Sequence, residues 1–100
     1  MNIRNSDKET LISIFCDAPF PIEVWAYGSR VNGEAHEGSD LDLVVLDKNQ
    51  KPIPIHIYSN WLDKIQESNI PILVQLLDWS RIPETFKYSI LKNHEVLFEK

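Results

Sequence analysis

Apolar residues recur along the chain with two different periods, and each change of period marks the start of a new element. In residues 7–17, Leu11, Ile14 and Phe15 fall at helical spacing behind an acidic first turn, so a first helix is expected, with Ser6 or Asp7 as its N-cap. Pro19 and Pro21 break that pattern. The run 22–27 is β-branched and aromatic and reads as a strand that stops at Gly28. Residues 40–46 alternate Asp, Leu, Asp, Leu before becoming wholly apolar, which predicts a strand buried along most of its length with one polar end. An amphipathic helix follows over about 56–68, carried by Ile57, Trp61, Leu62 and Ile65. A strand over 72–77 is interrupted only by Gln75, and Phe86, Ile90 and Leu91 restore helical spacing over 83–92. A short last strand over 96–98 completes the series.

The order helix, strand, loop, strand, helix, strand, helix predicts an α/β or α+β fold, a small mixed β-sheet with helices packed on it. One hundred residues, 43% of them hydrophobic, suffice for a single domain over 1–100 with a modest core. The chain contains no repeat and no linker-like stretch. Its lone cysteine, Cys16, excludes an internal disulfide framework and any zinc site built from cysteines. Cys16 is read as a small buried hydrophobe, and its solitude fits a reducing, cytoplasmic setting. No apolar run approaches the roughly 18 residues of a membrane span, and the polar N-terminus is unlike a secretory signal, so no membrane association is expected and the mature chain is expected to be the whole chain.

Fifteen acidic against ten basic residues leave a net charge of −5. Affinity for long nucleic acid comes mainly from clustered Lys and Arg, so that partner is not expected. The acidic balance fits a metal or a basic protein better.

The loop between the first two strands carries the chemistry. It begins at Gly28, Ser29 and Arg30, where one strand ends, and finishes at Asp40 and Asp42, where the next begins. Two residues apart on an extended strand, Asp40 and Asp42 project from one face, roughly 6–7 Å apart. Such a pair repels itself unless a proton or a divalent cation intervenes, and Mg²⁺ takes one or two carboxylates while leaving positions for substrate phosphates. Gly28 lets backbone amides approach a phosphate, Ser29 adds a hydroxyl, Arg30 adds a charged fork, and a short helix starting here would add its dipole. Each piece alone is common. Jointly, at background frequencies of roughly 5–7% per residue, they arise by chance in about one such chain per thousand.

Gly-Ser, ten residues and then Asp-x-Asp resembles the motif of the minimal nucleotidyltransferases of the DNA polymerase beta superfamily, matched by Gly28, Ser29, Asp40 and Asp42. The apolar strand before Gly28, Arg30, Gly33, Ser39 and the run 43–46 agree with it, and the similarity reaches from the first helix through at least Trp79. The resemblance implies a nucleotidyltransferase-like fold and an adenylyltransferase that moves a nucleoside monophosphate from a triphosphate, ATP, to a hydroxyl. Asp40 and Asp42 would hold two Mg²⁺ ions and act in catalysis, and Gly28, Ser29 and Arg30 would bind the phosphates. The family usually supplies a third carboxylate from a later strand. Gln75 stands at that place, and an amide is no base near neutral pH. Asp78 is the substitute candidate for catalysis, although three residues along a strand reverse the side-chain direction; its structural role would be to cap the next helix.

Minimal nucleotidyltransferases often pair with a small helical HEPN-domain protein as antitoxin and toxin, so the resemblance implies a hetero-oligomer in which this chain adenylylates its partner. The alternative motivated by Gln75 is a non-catalytic nucleotide-binding module that neutralises its partner by contact. A further reading is nucleotidylation of a small molecule such as an aminoglycoside. His36, His56 and His94 lack metal-ligand spacing and are expected at the surface or in loops, His36 within reach of a ligand in the phosphate loop. Trp25, Trp61 and Trp79 are expected in the core or an interface, and the stripe Trp61, Leu62, Ile65 in the core.

Overall fold

A computed structural model describes residues 2–33 and 38–100 of the chain. Helix α1 spans Asn5–Phe15, strand β1 Ile22–Tyr27, the single-turn helix α2 Ser29–Asn32, and strand β2 Leu41–Asp47. Helix α3 (Ile55–Glu67), strand β3 (Val74–Asp78), a 3₁₀ turn (Trp79–Arg81), helix α4 (Glu84–Lys92) and strand β4 (His94–Glu99) complete the order. The four strands form one mixed sheet in the order β3-β2-β1-β4. β1 runs antiparallel to both β2 and β4, whereas β2 and β3 are parallel. A parallel pair needs a long crossover, and α3 provides it.

Register divides the side chains between two faces. Val24 faces Val45, Ala26 faces Leu43, and Leu76 lies beside Leu43. These join Leu11, Ile14 and Phe15 of α1 and Trp61 and Ile65 of α3 in one buried cluster. Phe15 meets Trp61 edge to face with centroids 5.3 Å apart, so the stripe on α3 is core as its spacing predicts. The second face carries Trp25, Tyr27, Asp42 and Gln75. The 3₁₀ turn and α4 cover part of it, Trp79 against Trp25 at 5.3 Å and Phe86 against Tyr27 at 5.7 Å. His94 stacks on Trp25 at 4.1 Å, so it belongs to this packing and not to a bare loop.

Several details depart from the sequence reading. Neither Ser6 nor Asp7 caps α1; the helix begins after Arg4, whose guanidinium forms a two-pronged pair with the buried carboxylate of Asp7 at 2.9 and 3.0 Å. Cys16 is exposed, because it lies off the helix stripe of Leu11, Ile14 and Phe15 that faces the core, and its thiol donates to the Ser13 carbonyl. β4 is twice the expected length, since its polar ends pair with β1 although they carry no apolar signal. Among the described residues no helix is long and apolar enough to cross a membrane.

Candidate active site

β1 delivers the chain to Gly28, whose φ of 79° and ψ of −155° belong to a region that only glycine occupies without strain. That conformation turns the chain straight into α2, whose Val31 and Asn32 amides donate to the Gly28 carbonyl at 3.0 and 3.1 Å. Gly33, left-handed at φ 87°, ends the helix. A β-carbon on Gly28 would stand 2.6 Å from Oδ2 of Asp42. The two ends of the motif, separated in sequence by the loop, therefore lie so close that no side chain fits between them.

Tyr27 and Gln75 flank Asp42 across the sheet, one on each neighbouring strand. Gln75 Nε2 donates to Oδ2 of Asp40 at 3.3 Å. Asp40, Asp42 and Gln75 thus form one cluster at the edge of the second face, as the period-two reading of both strands requires. Burial, and then the charge of Asp40, push the Asp42 carboxyl above the usual carboxylate range. The Tyr27 hydroxyl is pushed up to about 12 by burial and then by the charge of Asp42. Two carboxylates drawn together at some electrostatic expense are a fitting donor set for a hard cation such as Mg²⁺, which takes one or two carboxylates and completes its shell with water and phosphate oxygens. Among the described residues no group of three or more His, Cys, Asp or Glu is placed to hold a metal ion.

Asp78 is not brought to this cluster. It pairs with Val45 in register and so points to the opposite face, the one that carries the buried core. Its buried carboxylate accepts from the Ile53 amide (3.0 Å), the Ser80 amide (3.0 Å), the Ser80 hydroxyl (2.9 Å) and Nε of Arg81 (3.2 Å). Strand alternation thus sets Asp78 apart from the pair with which it was expected to act, and its side chain caps the 3₁₀ turn. A cavity of about 530 Å³ lined by Ile53, Ile55, Tyr58, Leu77 and Ile82 lies beside Asp78 and Arg81, away from the carboxylate pair.

Arg30, the expected phosphate fork, is held against backbone carbonyls. It is 8% exposed, and its guanidinium donates to the carbonyls of Ser39 and Asn2. Ser29 opens α2 and is half-buried. His36 lies outside the described residues.

The profile described as polymerase beta, nucleotidyltransferase matches residues 9–100. The chain belongs to this nucleotidyltransferase family. A relative in Haemophilus influenzae, the probable protein adenylyltransferase MntA, is 39% identical over 77 residues, which are 77% of this chain and 66% of the relative. The chain thus spans just under two thirds of that relative's length. Two solved structures share the family fold. A toxin-antitoxin crystal structure with AMP-PNP superposes with a TM-score of 0.73 at 19% identity, over 93% of this chain and 73% of the other. A complex of tri-AMPylated Shewanella oneidensis HEPN toxin with MNT antitoxin gives 0.70 at 15% identity, over 98% and 74%.

Proposed function

We propose that the chain transfers the adenylyl group of ATP to a hydroxyl of a partner protein and that Asp40 and Asp42 hold Mg²⁺ for the reaction. The observation that carries this reading is the closeness of Gly28 to Asp42, whose Oδ2 leaves no room for a β-carbon at position 28, so that the turn read as binding phosphate stands beside the carboxylates read as holding metal. The MntA relative, a probable protein adenylyltransferase, and the fold shared with a complex of AMPylated HEPN toxin support a helical HEPN-domain acceptor and an antitoxin role. The fold shared with a toxin-antitoxin structure holding AMP-PNP supports an adenine nucleotide as the donor.

In this scheme an acceptor oxygen attacks the α-phosphorus, a new P–O bond forms, and the bond to the bridging oxygen of pyrophosphate breaks. Bound Mg²⁺ would neutralise phosphate charge and align the attacking and leaving oxygens. The open turn at Gly28 and the Ser29 hydroxyl hold the terminal phosphates, so that the α-phosphorus lies over the carboxylate pair. The acceptor's proton goes to solvent, because Gln75 occupies the position of a third carboxylate and its amide accepts no proton near neutrality.

The test is to incubate the chain with a HEPN-domain partner, Mg²⁺ and ATP labelled at either the α- or the γ-phosphorus. Label enters the partner from α-labelled ATP and not from γ-labelled ATP. Entry from the γ-position would instead mean phosphoryl transfer and would overturn the scheme.

The hydrogen bond from Gln75 to Asp40 also favours a second reading, a module that binds its partner without chemistry, since the amide occupies the metal-facing carboxylate. Substituting Gln75→Asp separates the two. A wild type that already transfers label, with the variant faster, supports catalysis; a wild type and variant both without transfer, yet still neutralising the partner, support the binding module.

A further inference from the structure

Arg30 ties together three parts of the chain: α2, the segment before α1 and the backbone that leads into β2. Its Nε and Nη2 donate to the Ser39 carbonyl at 3.1 and 2.8 Å, and its Nη1 donates to the Asn2 carbonyl at 2.8 Å. The Asn2 amide returns a bond to the Arg30 carbonyl at 2.8 Å, so the segment before α1 is stitched to α2 in both directions. Ser39 is joined to Asp40 by one peptide bond. The fork therefore holds the backbone immediately before the first carboxylate of the pair, while Gly28, two residues before Arg30, leaves no room for a side chain beside the second.

We propose that Arg30 is a positioning residue for Asp40, that it acts through the Ser39 carbonyl and not on the triphosphate, and that the Asn2 segment is its second anchor. A planar guanidinium can grip one carbonyl with two parallel N–H groups and still reach another, which an ammonium cannot do. Charge-assisted bonds of this kind in a buried setting are stronger than neutral ones, so the turn before Asp40 is fixed before any cation arrives. Outer groups that orient metal ligands typically govern about 10–100-fold in metal affinity or activity. This rests on the reading of Asp40 and Asp42 as the metal site given above.

The test measures Mn²⁺ binding by electron paramagnetic resonance in the full chain without nucleotide, for wild type, Arg30→Lys and Arg30→Ala, the last with and without methylguanidinium. ATP affinity is measured in parallel with the divalent ions chelated. Mn²⁺ binding weakens by about 10–100-fold in Arg30→Ala and by less in Arg30→Lys, methylguanidinium restores part of the loss, and metal-free ATP affinity stays within about twofold. Should Arg30→Ala fail to fold by circular dichroism, the lysine variant alone is decisive. Unchanged Mn²⁺ binding in the folded variants overturns the proposal, as does a loss confined to metal-free ATP affinity, which would make Arg30 a phosphate ligand. Absence of Mn²⁺ binding in the wild type overturns it as well. Because no turnover is involved, a wild type that binds Mn²⁺ in the expected pattern and transfers nothing defeats only the transferase reading.

Discussion

The Asp42 carboxyl sits above its ordinary value because it is partly buried and faces Asp40. The folded chain therefore holds this proton more tightly than the unfolded chain does, and the ionised pair works against folding. With the native pKa raised, stability is greatest below the ordinary carboxylate range and falls as pH rises through the native value. Asp42→Asn should then melt at a higher temperature than wild type at pH 7 in a chelator, with the difference shrinking towards pH 4. An equal difference at both pH values would show that charge is not the cause. Gly28 is constrained twice, by its dihedral angles and by the Asp42 oxygen. Gly28→Ala should cost about 1–3 kcal/mol from backbone strain. It should also displace the carboxylate, so thermal melts and label transfer should both fall. Asp78 differs from both. Asp78→Ala orphans the buried Ile53 amide and should cost on the order of 1–3 kcal/mol in urea unfolding. The transfer rate of the folded fraction should be unchanged, and a proportionate loss of rate at full foldedness would restore Asp78 to catalysis. At this scale Asp40, Asp42 and Gln75 were legible because alternation along a strand is rigid and each lies on a strand or at its start. The contacts of Arg30 are not legible, since a guanidinium after a Gly-Ser turn suits a phosphate or a carbonyl equally well, and the nearness of Ser39 and Asn2 emerges only in the fold.

Elements whose apolar residues face one uniform environment were read within a residue or two. β1 came out with its expected ends, and α3 and α4 within one residue of theirs. β4 was foreshortened because it is an edge strand: its pairing with β1 uses backbone groups that leave no trace in side-chain type, while Glu95 and Glu99 interrupt the apolar run. The 3₁₀ turn was missed for a similar reason, as three residues display no period. The start of α1 was misread because Asp7 serves a salt bridge with Arg4 and not a cap. The packing of α3 on α1 offers an element-scale prediction. Trp61 is 1% exposed and stacks edge-on against Phe15. Its replacement by alanine should lower stability by about 3–5 kcal/mol in chemical denaturation. A loss below about 1 kcal/mol would place the α1–α3 contact outside the core.

For the whole molecule, period and order pointed to a sheet with helices on it, but strand order was beyond their reach. Nothing in the pattern of residues 94–99 says that β4 lies beside β1 and completes the wall that carries Trp25 and Tyr27. The acidic balance takes on a local meaning, because Asp40 and Asp42, two of the fifteen acidic residues, lie close enough to act on each other and Asp42 backs onto the Gly28 turn. Whether those two carboxylates do chemistry decides between a transferase and a binding module. The most direct measurement is the rate at which α-labelled ATP modifies a HEPN-domain partner in the presence of Mg²⁺, for wild type and for Asp40→Ala, with both chains shown to be folded. Labelling by the wild type and loss of labelling in the variant is the predicted result. Equal labelling by the two chains would contradict it.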